Sequence, residues 1–205
     1  DLDRASGLFS RGEYAAALPA FERIVAADPH NPMAAVYLAV AHSMLDHDAD
    51  AESWFRRAAE VAPDSPDLRH YQALHECKNE RRARAEPLVE SVLAVEPDRL
   101  PALACLAEVR VRQGRRADAM ALLERVVAKK GAPTAELLRL GELHMEGGET
   151  DAAIAAFERA RALLGERFAA DLELGVLYLA ARRFDDARAS LDRVLAAQPR
   201  EPMAL

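Results

Sequence analysis

Apolar and small residues recur along this chain on a helical spacing that repeats in long register. Six alanines, Ala17, Ala51, Ala85, Ala119, Ala153 and Ala187, stand 34 residues apart with no insertion or deletion. Four residues after each comes a bulky apolar side chain: Phe21, Phe55, Val89, Leu123, Phe157 and Leu191. Three further on lies another apolar residue: Ile24, Ala58, Val92, Val126, Ala160 and Val194. Spacing of i, i+4, i+7 is one face of an α-helix. A residue kept small at its centre predicts a second helix packed so closely that a larger side chain would push it away.

A second amphipathic segment precedes each of these. Leu38, Leu106, Leu140 and Leu174 share one register, followed by Ala39, Ala107, Gly141 and Gly175, and three residues later by His42, Arg110, His144 and Tyr178. Short turn signals separate the two segments, as in Arg11-Gly12-Glu13-Tyr14, Gln113-Gly114-Arg115 and Gly147-Gly148-Glu149. Helix-stopping residues close each period: Pro29, Pro63, Pro97 and Pro199, with Gly131 and Gly165 in the two remaining slots. Each period therefore predicts a helix–turn–helix, and nothing in the chain alternates as a half-buried strand does. The predicted class is all-α. Pro19 and Pro87 fall inside second helices, where the lost N–H predicts a bend near the helix start.

A 34-residue helical-hairpin period with these small and bulky columns resembles the tetratricopeptide repeat, or TPR, whose signature runs Trp-x2-Leu-Gly-x2-Tyr and then Ala, Phe, Ala and Pro. The segments LELGVLYLAARRFDDARASLDRVLAAQP and SGLFSRGEYAAALPAFERIVAADP carry the match. Departures are the missing signature Trp, Leu8 and Glu76 at the tyrosine position, and Gln72 at the leucine position of the third unit. The resemblance implies a right-handed superhelical solenoid forming a single domain over residues 1–205. Its six units are 1–31, 32–65, 66–99, 100–133, 134–167 and 168–201, with 202–205 beginning a further or capping helix. Because the chain starts and stops inside repeats, and solenoid ends are normally polar caps, a piece of something longer is expected, and self-association through the ends is a further expectation.

The same resemblance implies that first helices line a concave groove holding a protein or peptide, without catalysis. Mapped onto this sequence, the groove positions are Phe9, Met33, Val36, Tyr37, Val40, Met44, His70, Tyr71, Leu74 and Cys77 in the N-terminal half. Toward the C-terminus they become more charged, with Glu108, Arg112, Arg139 and Glu142. Tyr37 and Tyr71 are the expected anchors and Met33 and Met44 the adaptable contacts. The competing reading is that these residues only pack one first helix against the next. Groove positions at which some family members grip chaperone-tail carboxylates hold no pair of cations here, which argues against that specialisation. Family members also serve as targeting or substrate-presenting domains of larger enzymes and of envelope-assembly or secretion proteins, which is the alternative role.

Composition narrows the remaining classes. The formal net charge is −7 and the pI near 5.4, which opposes binding to phosphate backbones, and no aromatic residue interleaves with the arginines. No nucleic-acid partner is expected. No apolar run approaches a bilayer span, so direct membrane insertion is not expected. Arginine far outnumbers lysine (only Lys78, Lys129 and Lys130) in an alanine-rich chain, a bacterial, GC-rich bias. Arg81, Arg82, Arg84, Arg115 and Arg116 cluster around two turns as a basic edge, read either as a docking ridge for an acidic surface or as a solvated rim. His42, His70, His75 and His144 suggest packing rather than ligation, and no metal or cofactor is expected. Cys77 and Cys105, at different heights on neighbouring first helices, are expected to lie beyond bridging distance, and free thiols favour the cytoplasm over the periplasm. No nucleophile elbow, phosphate loop or HExxH motif is present, so no catalytic residue is assigned.

Overall fold

The computed structural model describes residues 2–129, 131, 133–165 and 169–197. Among these residues there are twelve α-helices and no strand. In chain order they are α1 Leu2–Ser10, α2 Tyr14–Ala27, α3 Pro32–Met44, α4 Asp48–Val61, α5 Pro66–Lys78, α6 Arg82–Val95, α7 Leu100–Arg112, α8 Arg116–Val127, α9 Thr134–Glu146, α10 Thr150–Leu164, α11 Asp171–Ala180 and α12 Phe184–Ala197. The chain divides within α7 into two compact units, Asp1–Val109 and Arg110–Leu205. In the first, α3 packs on α2, α4 and α5, and α5 on α6; in the second, α9 packs on α8 and α10, and α11 on α12.

Local chemistry starts and stops the helices where the repeat demands. Asn31 Oδ1 accepts from the Ala34 N–H at 3.0 Å, and Ser65 Oγ from the Leu68 N–H at 3.2 Å. In both cases proline follows at the first helical position, where its missing N–H is not needed. Pro19 and Pro87 each lie inside a helix that continues unbroken around them.

The hairpin turns follow a single rule that the sequence shows only in part. Gly12, Asp46, Glu80, Gly114, Gly148 and Arg182, again 34 residues apart, all have positive φ between 57° and 77°. The N–H of the next residue reaches back five residues in every hairpin. Glu13 donates to Leu8 O at 3.0 Å, His47 to His42 O at 2.9 Å, Arg81 to Glu76 O at 2.8 Å, Arg115 to Arg110 O at 2.8 Å, Glu149 to His144 O at 2.9 Å and Arg183 to Tyr178 O at 2.8 Å. This left-handed residue with its long back-bond is a Schellman closure, which satisfies carbonyls the helix end would leave bare.

The alanine column is the seam of each hairpin. Ala17, Ala51, Ala85, Ala119, Ala153 and Ala187 are at most 1% exposed. Phe21, Phe55, Val89, Leu123 and Phe157, one turn later, are buried as well. Opposite them the first helices approach closely. A Cβ on Gly141 would sit 3.0 Å from three ring carbons of Phe157, and one on Gly175 would sit 2.8 Å from Leu191 Cδ2. This close approach accounts for glycine at positions 141 and 175 of the first helices.

Candidate functional site

The first unit contains a cavity of about 580 Å³ formed by five helices. Phe9 and Ser10 of α1 and Tyr14 of α2 line it from the first hairpin. Tyr37, Val40, Ser43 and Met44 of α3 form one wall, Tyr71, Leu74, His75 and Lys78 of α5 the other, and Phe55 of α4, almost fully buried, also lines it. Residues from α3 and α5 enter at steps of three or four because that spacing keeps side chains on one helix face. Of the expected groove residues, the cavity brings together Phe9, Tyr37, Val40, Met44, Tyr71 and Leu74.

Aromatic packing fixes part of the lining. The Phe9 ring lies 4.7 Å from Tyr37 and meets Tyr14 edge-on at 5.2 Å, while Tyr37 lies 5.0 Å from the buried Phe21. Rings locked in this way present area with little rotamer entropy left to lose on binding. Met44 is about half exposed at the mouth.

Another part of the lining is polar. Ser43 Oγ and His75 Nδ1 are 2.8 Å apart, and the Asn79 amide reaches His75 at 3.2 Å. Burial pushes the His75 imidazole below its ordinary pKa, which keeps it neutral near pH 7. Lys78 donates to the Ser43 carbonyl and pairs with Asp46 at 2.6 Å. Its ammonium is therefore at the rim with a counter-charge already in place. Burial raises the Tyr71 phenol, so it remains a protonated donor.

Several expected groove residues are placed otherwise. Val36 is buried in the second hairpin's core with Ala35, Ala39, Phe55 and Leu68. His70 is 4% exposed, its ring 5.2 Å from Tyr71 and its Nδ1 without a hydrogen-bond partner among the described residues. Met33 is exposed at the start of α3. On α9, Arg139 pairs with Glu142 at 2.9 Å one turn away. Glu108 and Arg112 lie on α7, half-buried and exposed respectively.

The cysteines require a correction. Cys77 and Cys105 are joined in a disulfide, with Cα atoms 6.0 Å apart, inside the bridging range rather than beyond it. The expected height difference failed because α5 and α7 place these positions side by side. Cys77 is thus a cross-link between two first helices, and the free-thiol case for a reducing compartment falls with it.

The basic positions are all counter-charged. Arg81 pairs with Glu52 and stands 3.6 Å from the buried Glu76, which Arg84 approaches at 3.8 Å. Arg82 pairs with Glu80 at 3.1 Å, Arg115 with Asp118 at 2.6 Å and Arg116 with Glu149 at 3.3 Å. The sequence reading missed Ser10, Tyr14, Ser43, Phe55, His75 and Lys78 as cavity residues. The available signal was the place of Phe55 in the bulky apolar column and of the others at hairpin turns or in the last turns of α3 and α5, which converge only in three dimensions.

Two family models, both described as tetratricopeptide repeat, match residues 8–76 and 78–142 and residues 138–202. The chain belongs to the tetratricopeptide repeat family. As a TPR protein it has the all-α helical-repeat solenoid fold, and solved TPR structures match it throughout. The type IV pilus biogenesis factor PilW is 22% identical, with a TM-score of 0.79 over 98% of this chain and 94% of that one. The Pseudomonas aeruginosa pilF structure is 17% identical, with a TM-score of 0.80 over 98% and 92%. YrrB, a TPR protein with an unusual peptide-binding site, is 18% identical, with a TM-score of 0.70 over 90% and 95%. No curated protein matches the sequence. TPR arrays are in general scaffolds for protein–protein interaction, and that general role extends to this chain. Among the described residues no helix is long and apolar enough to cross a membrane.

Proposed function

We propose that this TPR protein holds a short apolar segment of a partner protein in the cavity of its first unit. The observation that supports this reading is a cavity of about 580 Å³ whose lining combines aromatic rings with polar groups. An aromatic or branched aliphatic side chain of the partner seats against Phe9, Tyr37 and Tyr71, Met44 adapts its thioether at the mouth, and polar groups of the partner meet Ser43 and Lys78. YrrB, with its peptide-binding site, is a precedent for such capture on this fold.

The test is selection of binding peptides from a random displayed library, followed by affinity measurement on folded variants. The enriched peptides are expected to share an apolar anchor. Met44→Glu and Tyr71→Ala are each expected to weaken them about tenfold or more, a loss of roughly 1.4 kcal/mol or above. Met44 is exposed, so its substitution leaves the fold intact. Peptides that bind equally well to Met44→Glu and to a Tyr37→Ala/Tyr71→Ala variant that remains folded would show that the cavity is not the site.

A second reading concerns setting, and the Cys77–Cys105 disulfide favours it. Structural disulfides persist in oxidising compartments, so a scaffold of the cell envelope fits better than one of the cytoplasm. PilW, a type IV pilus biogenesis factor, has a similar fold. Thiol labelling of protein taken directly from its host checks this: two reactive thiols under denaturing, non-reducing conditions would refute it.

A further inference from the structure

The Schellman closure relates three positions in every hairpin: the residue whose carbonyl accepts the back-bond, the residue five later that donates it, and the residue three beyond that. In four of the hairpins this trio is a charge or hydrogen-bond clip. Glu76 stands between Arg81 and Arg84 at 3.6 and 3.8 Å. Arg115 pairs with Asp118 at 2.6 Å. His144 Nδ1 meets Glu149 at 2.6 Å. Arg183 pairs with Asp186 at 2.7 Å and lies 4.5 Å over the Tyr178 ring.

The second hairpin fills the same three positions with His42, His47 and Asp50, two imidazoles and a carboxylate with no cationic side chain in the trio. One ligand atom from each lies within 4.8 Å of the other two. The two Nδ1 atoms are 3.3 Å apart. Four-coordinate zinc with Zn–N bonds of about 2.0–2.1 Å has ligand atoms about 3.3–3.4 Å apart by tetrahedral geometry, so this separation is the edge of such a site. The backbone holds it there: His47 N–H donates to His42 O at 2.9 Å, and Asp50 follows one turn later on α4. His42 is half-buried, while His47 and Asp50 face solvent, which leaves a way in for an ion and a fourth position for water.

We propose that His42, His47 and Asp50 bind one divalent cation of the zinc class, which completes the turn clip of the second hairpin. Imidazole nitrogen with a single carboxylate suits zinc, cobalt, nickel and copper rather than calcium or magnesium, which want more oxygen ligands. The ion ties the end of α3 to the start of α4. Because Ser43 and Met44 adjoin His42 on α3 and line the cavity, the bound ion also steadies that cavity wall.

The experiment uses the full chain without a histidine tag, titrated with Co(II) and with Zn(II) against a chromophoric chelator. One equivalent is expected to bind with micromolar affinity, with Co(II) giving the visible absorption of a four-coordinate ion and Zn(II) raising Tm. His47→Ala and Asp50→Asn are both exposed changes that spare the core, and each is expected to weaken binding at least tenfold. His30→Ala, at an exposed histidine outside the trio, serves as control and is expected to bind as the parent does. Absence of stoichiometric binding, or binding that survives His47→Ala, would overturn the assignment and leave a simple imidazole–imidazole hydrogen bond in its place.

Discussion

The six-fold column of left-handed residues permits a direct test of how much strain this fold carries in its turns. Three positions are glycine (Gly12, Gly114, Gly148) and three are not: Asp46, Glu80 and Arg182, at φ 60°, 57° and 59°. The informative pair is Gly148→Ala against Arg182→Gly, at equivalent places in two hairpins of the second unit. A Cβ added at Gly148 meets nothing within 4 Å, so the substitution changes only backbone energy. An L-residue in this region costs roughly 1–2 kcal/mol, and the lower entropy of unfolded alanine relative to glycine returns about 0.4–1 kcal/mol. The net expectation for Gly148→Ala is a loss of about 1 kcal/mol. Arg182→Gly reverses both effects and is expected to gain about 0.5–1 kcal/mol. Urea denaturation followed by circular dichroism gives both values, read as a midpoint shift at constant slope. Because repeat arrays depart from two-state behaviour, the melting of both variants should also be followed by a second probe. The expected Tm changes are about 2–4 °C in opposite directions. A neutral Gly148→Ala, or a destabilising Arg182→Gly, would refute the idea that these turns are strained by their side chains.

Three other outcomes follow from particular contacts. Gly141→Ala places a Cβ 3.0 Å from the buried Phe157 ring and is expected to cost about 1 kcal/mol net of improved helix propensity. A double-mutant cycle with Phe157→Leu should show coupling of at least about 0.5 kcal/mol, and additivity would contradict the close contact. His70 is held down to about pKa 4, first by burial and then by Arg99, with Glu96 and Asp67 opposing. Because the unfolded chain takes up this proton near 6.5, stability is full above that pH and falls as pH drops toward 4, by about 2 kcal/mol at pH 5. Burial shifts His42 and His75 in the same direction. His70→Leu should therefore show a smaller loss between pH 7.5 and 5 than the parent, and an unchanged slope would remove His70 from the account. Replacing both Cys77 and Cys105 by serine opens a cross-link spanning 28 residues and is expected to lower stability by roughly 3–4 kcal/mol on the loop-entropy model. A loss below about 1 kcal/mol would mean that the disulfide contributes little to the fold.

The linear pattern determined the hairpin, its 34-residue period and the seam at which its helices meet. Those features depend on residues three to seven apart on one helix, or on a small residue that must face a close neighbour, and Ala17 through Ala187 display both in the primary structure. What only the tertiary structure decided involves distances between neighbouring hairpins. Cys77 and Cys105 occupy different register positions of the repeat, yet α5 and α7 bring their Cα atoms to 6.0 Å. Val36 and His70 share the predicted groove positions with Tyr37 and Tyr71, but burial assigns the first two to packing. Lys78 and Ser43 become cavity residues because two helix ends converge from units 34 residues apart. The left-handed turn column was half-legible: glycine announced it three times, whereas Asp46, Glu80 and Arg182 hold the same backbone conformation with side chains that give no sign of it. Helix geometry is local and periodic, so a sequence can spell it out. The approach of one hairpin to the next is set by the packed volume of many side chains together, and no single spacing in the chain records that sum.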